Sequence, residues 1–257
     1  MTNQLEHASV QADRSEIKSL RKALAVLGAV VSAERSPTIA EVAFQAGISR
    51  PTAYRIVQTL VSEGFLVHGP DDGRLYIGFE TLPLAANLLD RNRMRLEAMP
   101  YLHSLASKVN ERTNLGVLHR NKILYLAGVE KPSLPMIYSR FGKTVPVHCS
   151  SLGKAILAYL PEEEIRKLVD EEPLVRRTPA TITELSALFE DLALTRERGY
   201  ALDCAESSEG TYCIAAPIFD AGNKPVGAIG LSGRDLGTMI AEAKTVCHTA
   251  EVISHIL

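Results

Sequence analysis

The chain has 257 residues, with 28 Lys and Arg against 30 Asp and Glu, a formal net charge of −2 and 46% hydrophobic residues. This composition excludes a disordered chain and fits one large or two ordinary globular domains. The charge excludes nucleic-acid binding by bulk attraction, so any such activity has to be local.

No apolar run approaches the roughly 18 residues of a membrane span. The polar start MTNQLEHASVQADRSE lacks an apolar signal core, and residues 1–15 read as a disordered lead-in. Cys149, Cys204, Cys213 and Cys247 contain no close CxxC pair, so they read as reduced thiols of a cytoplasmic protein.

Ile17, Leu20, Leu24, Leu27 and Val31 recur at three- and four-residue steps and predict an amphipathic helix over 16–33. Thr38, with Glu41 three residues later, predicts a capping box on a short second helix that Gly47 ends. Ser49 then suits the N-cap of a third helix, with Pro51 tolerated in its first turn and Gly64 ending it. The apolar runs FLVH and RLYIG around GPDDG predict a hairpin. Three short helices and a hairpin make a winged helix-turn-helix over 16–78.

FETLPLAANLLDRNRM predicts a linker helix within 79–95, and a second helical pattern runs over about 93–112. LGVLHRNKILYLAGV predicts a hairpin turning at Arg120–Lys122, and MIYSRFGKTVPVH further strand and loop. SSLGKAILAYL, PEEEIRKLVDEE, and Thr183–Arg198 predict helices, the last stopped by Gly199. CIAAPIFDAGNKPVGAIGLSG predicts two strands and a turn, before a closing helix over RDLGTMIAEAKTVCHTAEVISHIL. The fold class expected is therefore α+β in two domains, the second being α/β over 96–257.

On the third helix Ala53, Ile56, Val57 and Leu60 form the inward stripe, which leaves Arg50, Thr52, Tyr54, Arg55 and Gln58 largely outward. Between Ser49 and Ser62 there are two arginines and no acid. Arginine suits guanine edges, glutamine suits adenine, and hydroxyls suit phosphates. With the wing, the candidate DNA-contacting set is Thr38, Ser49, Arg50, Pro51, Thr52, Tyr54, Arg55, Gln58 and Arg74. Through Gly78 the eight cations (14, 18, 21, 22, 35, 50, 55, 74) balance eight acids (6, 13, 16, 34, 41, 63, 71, 72). A neutral unit binds DNA weakly alone, which favours paired recognition helices on two half-sites.

The segments SLRKALAVLGAV, TIAEVAFQAGISRPTAYRIVQTLVSEGFLV, DGRLYIG, TVPVHCSSLGKAILAYLP and EGTYCIAAPIFDAGNKPVGAIGLSG, in this order, resemble the isocitrate-lyase-regulator (IclR) family of bacterial transcription factors over about residues 17–257. The resemblance implies a winged helix-turn-helix, a linker helix and a GAF-like effector domain. It further implies homodimers or homotetramers on double-stranded operator DNA, answering a small-molecule effector, with repression favoured over activation of a catabolic operon. By the same resemblance Asp203, Cys213 and Ser232 match effector-site positions, and Ser151 and Leu152 match a loop whose backbone amides start a helix. Gly230 stands where some relatives carry a second serine, which implies added room for the effector. No metal, cofactor or membrane partner is expected.

An alternative keeps the second domain as a serine or cysteine hydrolase. Ser151-x-x-Lys154 has the spacing of penicillin-recognising enzymes, but no S-D-N or K-T-G element accompanies it. FGKT at 141–144 lacks the earlier phosphate-loop glycine, since Ile137 stands there. His148–Cys149 and the Cys204/Cys213 pair match no metal or nucleophile spacing.

Overall fold

The structure, a computed structural model, describes residues 17–70, 73–131 and 141–257. The expected lead-in over 1–15, the hairpin tip at Asp71–Asp72 and the strand or loop expected through Met136–Arg140 lie outside the described residues. The chain divides into two compact units, with the boundary between Asp90 and Arg91.

The first unit is built from α1 (Lys18–Ser32), α2 (Ile39–Gln45), α3 (Arg50–Ser62), a hairpin of β1 (Leu66–His68) and β2 (Leu75–Ile77), and α4 (Thr81–Arg91). Its caps are those the residues dictate. Thr38 accepts from the Glu41 N–H while the Glu41 carboxylate accepts from the Thr38 N–H at 2.7 Å, and Gly47 takes the left-handed turn (φ +63°) that follows α2. Val26, Val42, Val57, Leu60, Leu66 and Leu75 close one small core, so the apolar combs of all three helices meet over the hairpin. The Leu75 N–H donates to the Pro37 carbonyl at 2.8 Å, tying the wing to the start of α2.

The expected linker helix does not run on to residue 95. It stops at Arg91, and Asn92 caps a new helix by accepting from the Arg95 N–H at 2.9 Å. That helix, α5 (Arg93–Val109), ends at Asn110 in the left-handed region, a few residues short of the expected end. There follow β3 (Arg112–His119), β4 (Lys122–Val129), β5 (Thr144–Pro146), a 3-10 turn at Val147–Cys149, α6 (Ser151–Leu157), α7 (Glu162–Glu171), α8 (Leu185–Arg198), β6 (Ala201–Cys204), β7 (Tyr212–Phe219), β8 (Pro225–Gly233), α9 (Leu236–Ala241) and α10 (Ala243–Ile256). The helix expected from Thr183 begins at Leu185, and the expected single closing helix is two, α9 and α10.

The six strands form one antiparallel sheet in the order β5-β4-β3-β8-β7-β6. Alternation along the strands gives it two apolar faces. Ile214, Ala216, Ile229 and Leu231 pack with Leu102 and Leu105 of α5 and Val246 and Ile253 of α10. Tyr125, Ala201, Ala215 and Ala228 pack on the other face with Ala155 and Ile156 of α6 and Leu188 and Leu192 of α8.

Gly153 lets the first turn of α6 seat close on the 3-10 turn that precedes it. A Cβ there would stand 2.1 Å from the Val147 carbonyl oxygen, which no side chain tolerates. Gly153→Ala is therefore expected to lower stability in urea unfolding by about 1–3 kcal/mol, the cost of overpacking. An unchanged midpoint would contradict the close approach.

Candidate functional site

Helix α3 buries Ala53, Val57 and Leu60, half-buries Ile56, and exposes Arg50, Tyr54, Arg55 and Gln58. No protein acceptor among the described residues holds the guanidinium of Arg50 or Arg55. Two desolvation-ready forks thus stand on the outward face of an acid-free helix. Gln58 Nε2 lies 3.4 Å from His68 Nε2 on β1, so the wing touches the reading face through a histidine that sequence reasoning missed.

The other expected contacts are occupied within the fold. The Ser49 hydroxyl accepts from the Thr52 N–H and lies 2.9 Å from the Thr52 hydroxyl. Thr38 belongs to the capping box, and Pro51 sits in the first turn of α3. Arg74 donates to the Ser36 carbonyl at 2.6 Å, and its backbone bridges Thr38, so this arginine holds the wing onto the unit.

In the second unit the strand register assembles the other set. Asp203 on β6 pairs with Cys213 on β7, and Cys213 pairs with Ser232 on β8, so three side chains stand in one row on one face. Two residues back along β8, Gly230 pairs with Asn114 of β3 on that face. Across them lie Ser151 and Leu152 at the start of α6. All six expected effector-site residues line one cavity, together with Asn114, Tyr125, Ser150, Ser207 and Leu231. A water-sized sphere has about 10 Å³ for its centre there, room for about one water.

The cavity is polar and tightly wired. The Asn114 amide and the Cys213 thiol both donate to the Ser232 hydroxyl, at 3.1 and 3.2 Å. Asp203 accepts from the Glu206 N–H at 2.7 Å and from the Ser207 hydroxyl at 2.6 Å. Burial raises the Asp203 carboxyl above its ordinary range, against the pull of those donors. Asn114 Oδ1 is buried with no hydrogen-bond partner among the described residues, an acceptor left over for something that enters. Asn114, Tyr125, Ser150 and Ser207 carried no sequence signal, because only strand register and loop closure bring them here.

Gly230 does not add room. A Cβ on it would stand 2.3 Å from the Ile214 carbonyl oxygen, so the space a side chain would take is filled by β7.

The hydrolase alternative fails on geometry. Lys154 Nζ is committed to Glu206 Oε1 at 2.6 Å and Asp191 Oδ2 at 2.9 Å rather than to Ser151. Burial lowers its proton affinity, yet the two carboxylates more than reverse this, and the net shift is upward, so it stays an ammonium and is no base. Burial, reinforced by Asp203, pushes the Cys149 thiol up to about 12. Buried His148 donates to the Val175 carbonyl at 3.2 Å, and burial lowers its pKa. No cluster of metal-ligating side chains occurs among the described residues, and no helix there is long and apolar enough to cross a membrane.

A winged helix-turn-helix with outward arginines on its third helix, followed by an α/β domain that holds a small polar cavity, is the architecture of a transcriptional regulator. The chain belongs to the IclR family. The model of the IclR helix-turn-helix domain matches residues 19–70, and that of the bacterial transcriptional regulator IclR C-terminal domain matches residues 86–254. The chain is similar to the glycerol operon regulatory protein of Streptomyces coelicolor, 35% identical, with 84% of this chain and 85% of that one covered. It is similar to the transcriptional repressor IclR of Escherichia coli, 32% identical, with 85% and 80% covered. Among solved structures, Thermotoga maritima IclR is 28% identical with a TM-score of 0.69, covering 94% of this chain and 99% of that one. An IclR regulator from Alicyclobacillus acidocaldarius is 26% identical with a TM-score of 0.81, covering 93% and 98%.

The buried thiol gives a direct check. At pH 8 in the folded protein, Cys149 is expected to stay unmodified by iodoacetamide, and to react once urea exposes it. Rapid labelling of native Cys149, read by peptide mass spectrometry, would contradict its surroundings.

Proposed function

We propose that this chain is a ligand-responsive repressor of a catabolic operon, binding double-stranded operator DNA through α3 and releasing it when a small metabolite occupies the cavity. The observation that carries the DNA half is the pair of arginines, Arg50 and Arg55, on the exposed face of α3, with no acceptor for either among the described residues. Arg50, Tyr54, Arg55 and Gln58 contact the DNA directly. Thr38, Ser49, Pro51, Thr52 and Arg74 set the helix and wing at the backbone.

The effector half rests on the cavity. Asp203, Cys213 and Ser232 form its floor beside Gly230, Ser151 and Leu152 its roof, and Asn114 offers an unfilled acceptor. The names of relatives, a glycerol operon regulatory protein and an acetate operon repressor, support a catabolic operon as the target. A homodimer or homotetramer follows from charge and surface together. The first unit is nearly neutral, and α1 and α4 expose Leu20 and Leu24, and Leu82, Leu84 and Leu88, as apolar surface for a second copy. DNA and a diffusible metabolite place the protein in the cytoplasm, with no membrane partner and no cofactor in the cycle.

Ligand control requires different affinities for the effector in the DNA-competent and DNA-incompetent states. Arg55→Ala is expected to weaken operator binding by about 1–3 kcal/mol at fixed salt without altering effector affinity. Undiminished operator affinity would remove that side chain from the interface. Asp203→Ala and Cys213→Ala are expected to bind operator normally but to lose the metabolite response in gel-shift titrations. A normal response in both would move the effector site elsewhere.

A further inference from the structure

The cavity has two walls that belong to different parts of the second unit. One is the start of α6, with Ser151 and Leu152; the other is the turn after β6, where Asp203 gathers Glu206 and Ser207. As the structure stands, the gap between them admits about one water. Any metabolite of several heavy atoms therefore has to part the walls.

One side chain joins them. Lys154 lies on α6, one turn beyond Ser151, and its side chain is 1% exposed. Its ammonium binds Glu206 in the turn at 2.6 Å and Asp191 of α8 at 2.9 Å. Glu206 Oε1 also accepts from the Cys204 N–H at 3.2 Å, so the same carboxylate caps the end of β6. From outside, the turn is held by the Thr178 hydroxyl on the Ala205 carbonyl at 2.8 Å and the Thr181 hydroxyl on the Glu206 carbonyl at 2.7 Å. Among the described residues, Lys154 supplies the ion pair between turn and roof.

We infer that Lys154 is a positioning residue of the effector site: its buried ammonium clamps the turn after β6 to the start of α6 and so sets the width to which the cavity opens. Buried ion pairs are poor contributors to stability, because desolvating three charges offsets most of their attraction, and apolar side chains of similar size fill such space as well. What the pair adds is a fixed geometry. Its strength in a low-dielectric interior resists any parting of the walls, and Asp191 links that resistance to α8. The inference rests on reading the cavity as the effector site.

The test is hydrogen exchange on the full-length protein, with urea unfolding of the same samples and no effector present. In Lys154→Met the amides of residues 204–209 are expected to exchange at least about tenfold faster than in wild type, while β7 and β8 keep their protection relative to global unfolding. Lys154→Met also strands the carboxylates of buried Glu206 and half-buried Asp191, so a K154M/D191N/E206Q variant removes that burden. It is expected to recover wild-type unfolding while the turn still exchanges fast. If the turn's protection is unchanged in Lys154→Met, or returns with stability in the triple variant, Lys154 is only structural and the inference is overturned. Should Lys154→Met fail to fold, the triple variant decides alone. Failure of the effector-site reading is visible separately, as a wild-type chain whose melting temperature no metabolite shifts, and leaves these exchange rates as they are.

Discussion

The antiparallel register of β6, β7 and β8 is the constraint on which the second unit depends. It puts Asp203, Cys213 and Ser232 in one row and turns that row toward α6. Because side chains alternate along a strand, a slip of one residue in any of these pairings would send a member of the row into the opposite apolar core. That core, with Ile214 and Leu231 as neighbours of the row in sequence, fixes the register: burying a carboxylate among α5 and α10 would cost several kcal/mol, as would exposing those aliphatic residues. Packing on one face of the sheet thus holds the chemistry on the other.

Charge is handled differently in the two units. In the second, the buried carboxylates meet local partners: Asp203 the N–H and hydroxyl groups of its own turn, and Glu206 the ammonium of Lys154, which also pairs with half-buried Asp191. In the first, Arg50 and Arg55 of α3 find no acceptor among the described residues, and the acids lie off that helix. Exposed guanidinium groups of this kind add little to stability, and in the proposed function they meet the DNA. The balance of charges through Gly78 limits what one copy achieves and makes pairing of copies part of the DNA-binding reading.

Much of this was legible in the sequence because it is local. Caps, glycine stops and apolar combs of α1 to α3 are written within four or five residues, and the capping box at Thr38 and the N-cap at Ser49 stand as expected. The six expected effector-site positions came from resemblance, and strand register explains why Asp203, Cys213, Ser232 and Gly230 share one face. What escaped was non-local or too short. Strand β6 has four residues, too few for alternation to stand out beside the Gly199 stop. Asn114 reaches Ser232 across 118 residues, and Lys154 reaches Glu206 across 52, distances at which no spacing rule operates. The role of Gly230 was misread for the same reason, since the close approach of β7 cannot be seen from β8 alone.

The central claim is that the row on β6, β7 and β8 receives the molecule that controls operator binding. Its most direct test is hydrogen exchange of the full chain with and without the metabolite that releases it from operator DNA. The account predicts new protection concentrated at residues 150–153 and 203–213. Protection elsewhere in the second unit, with these two segments unchanged, would contradict it.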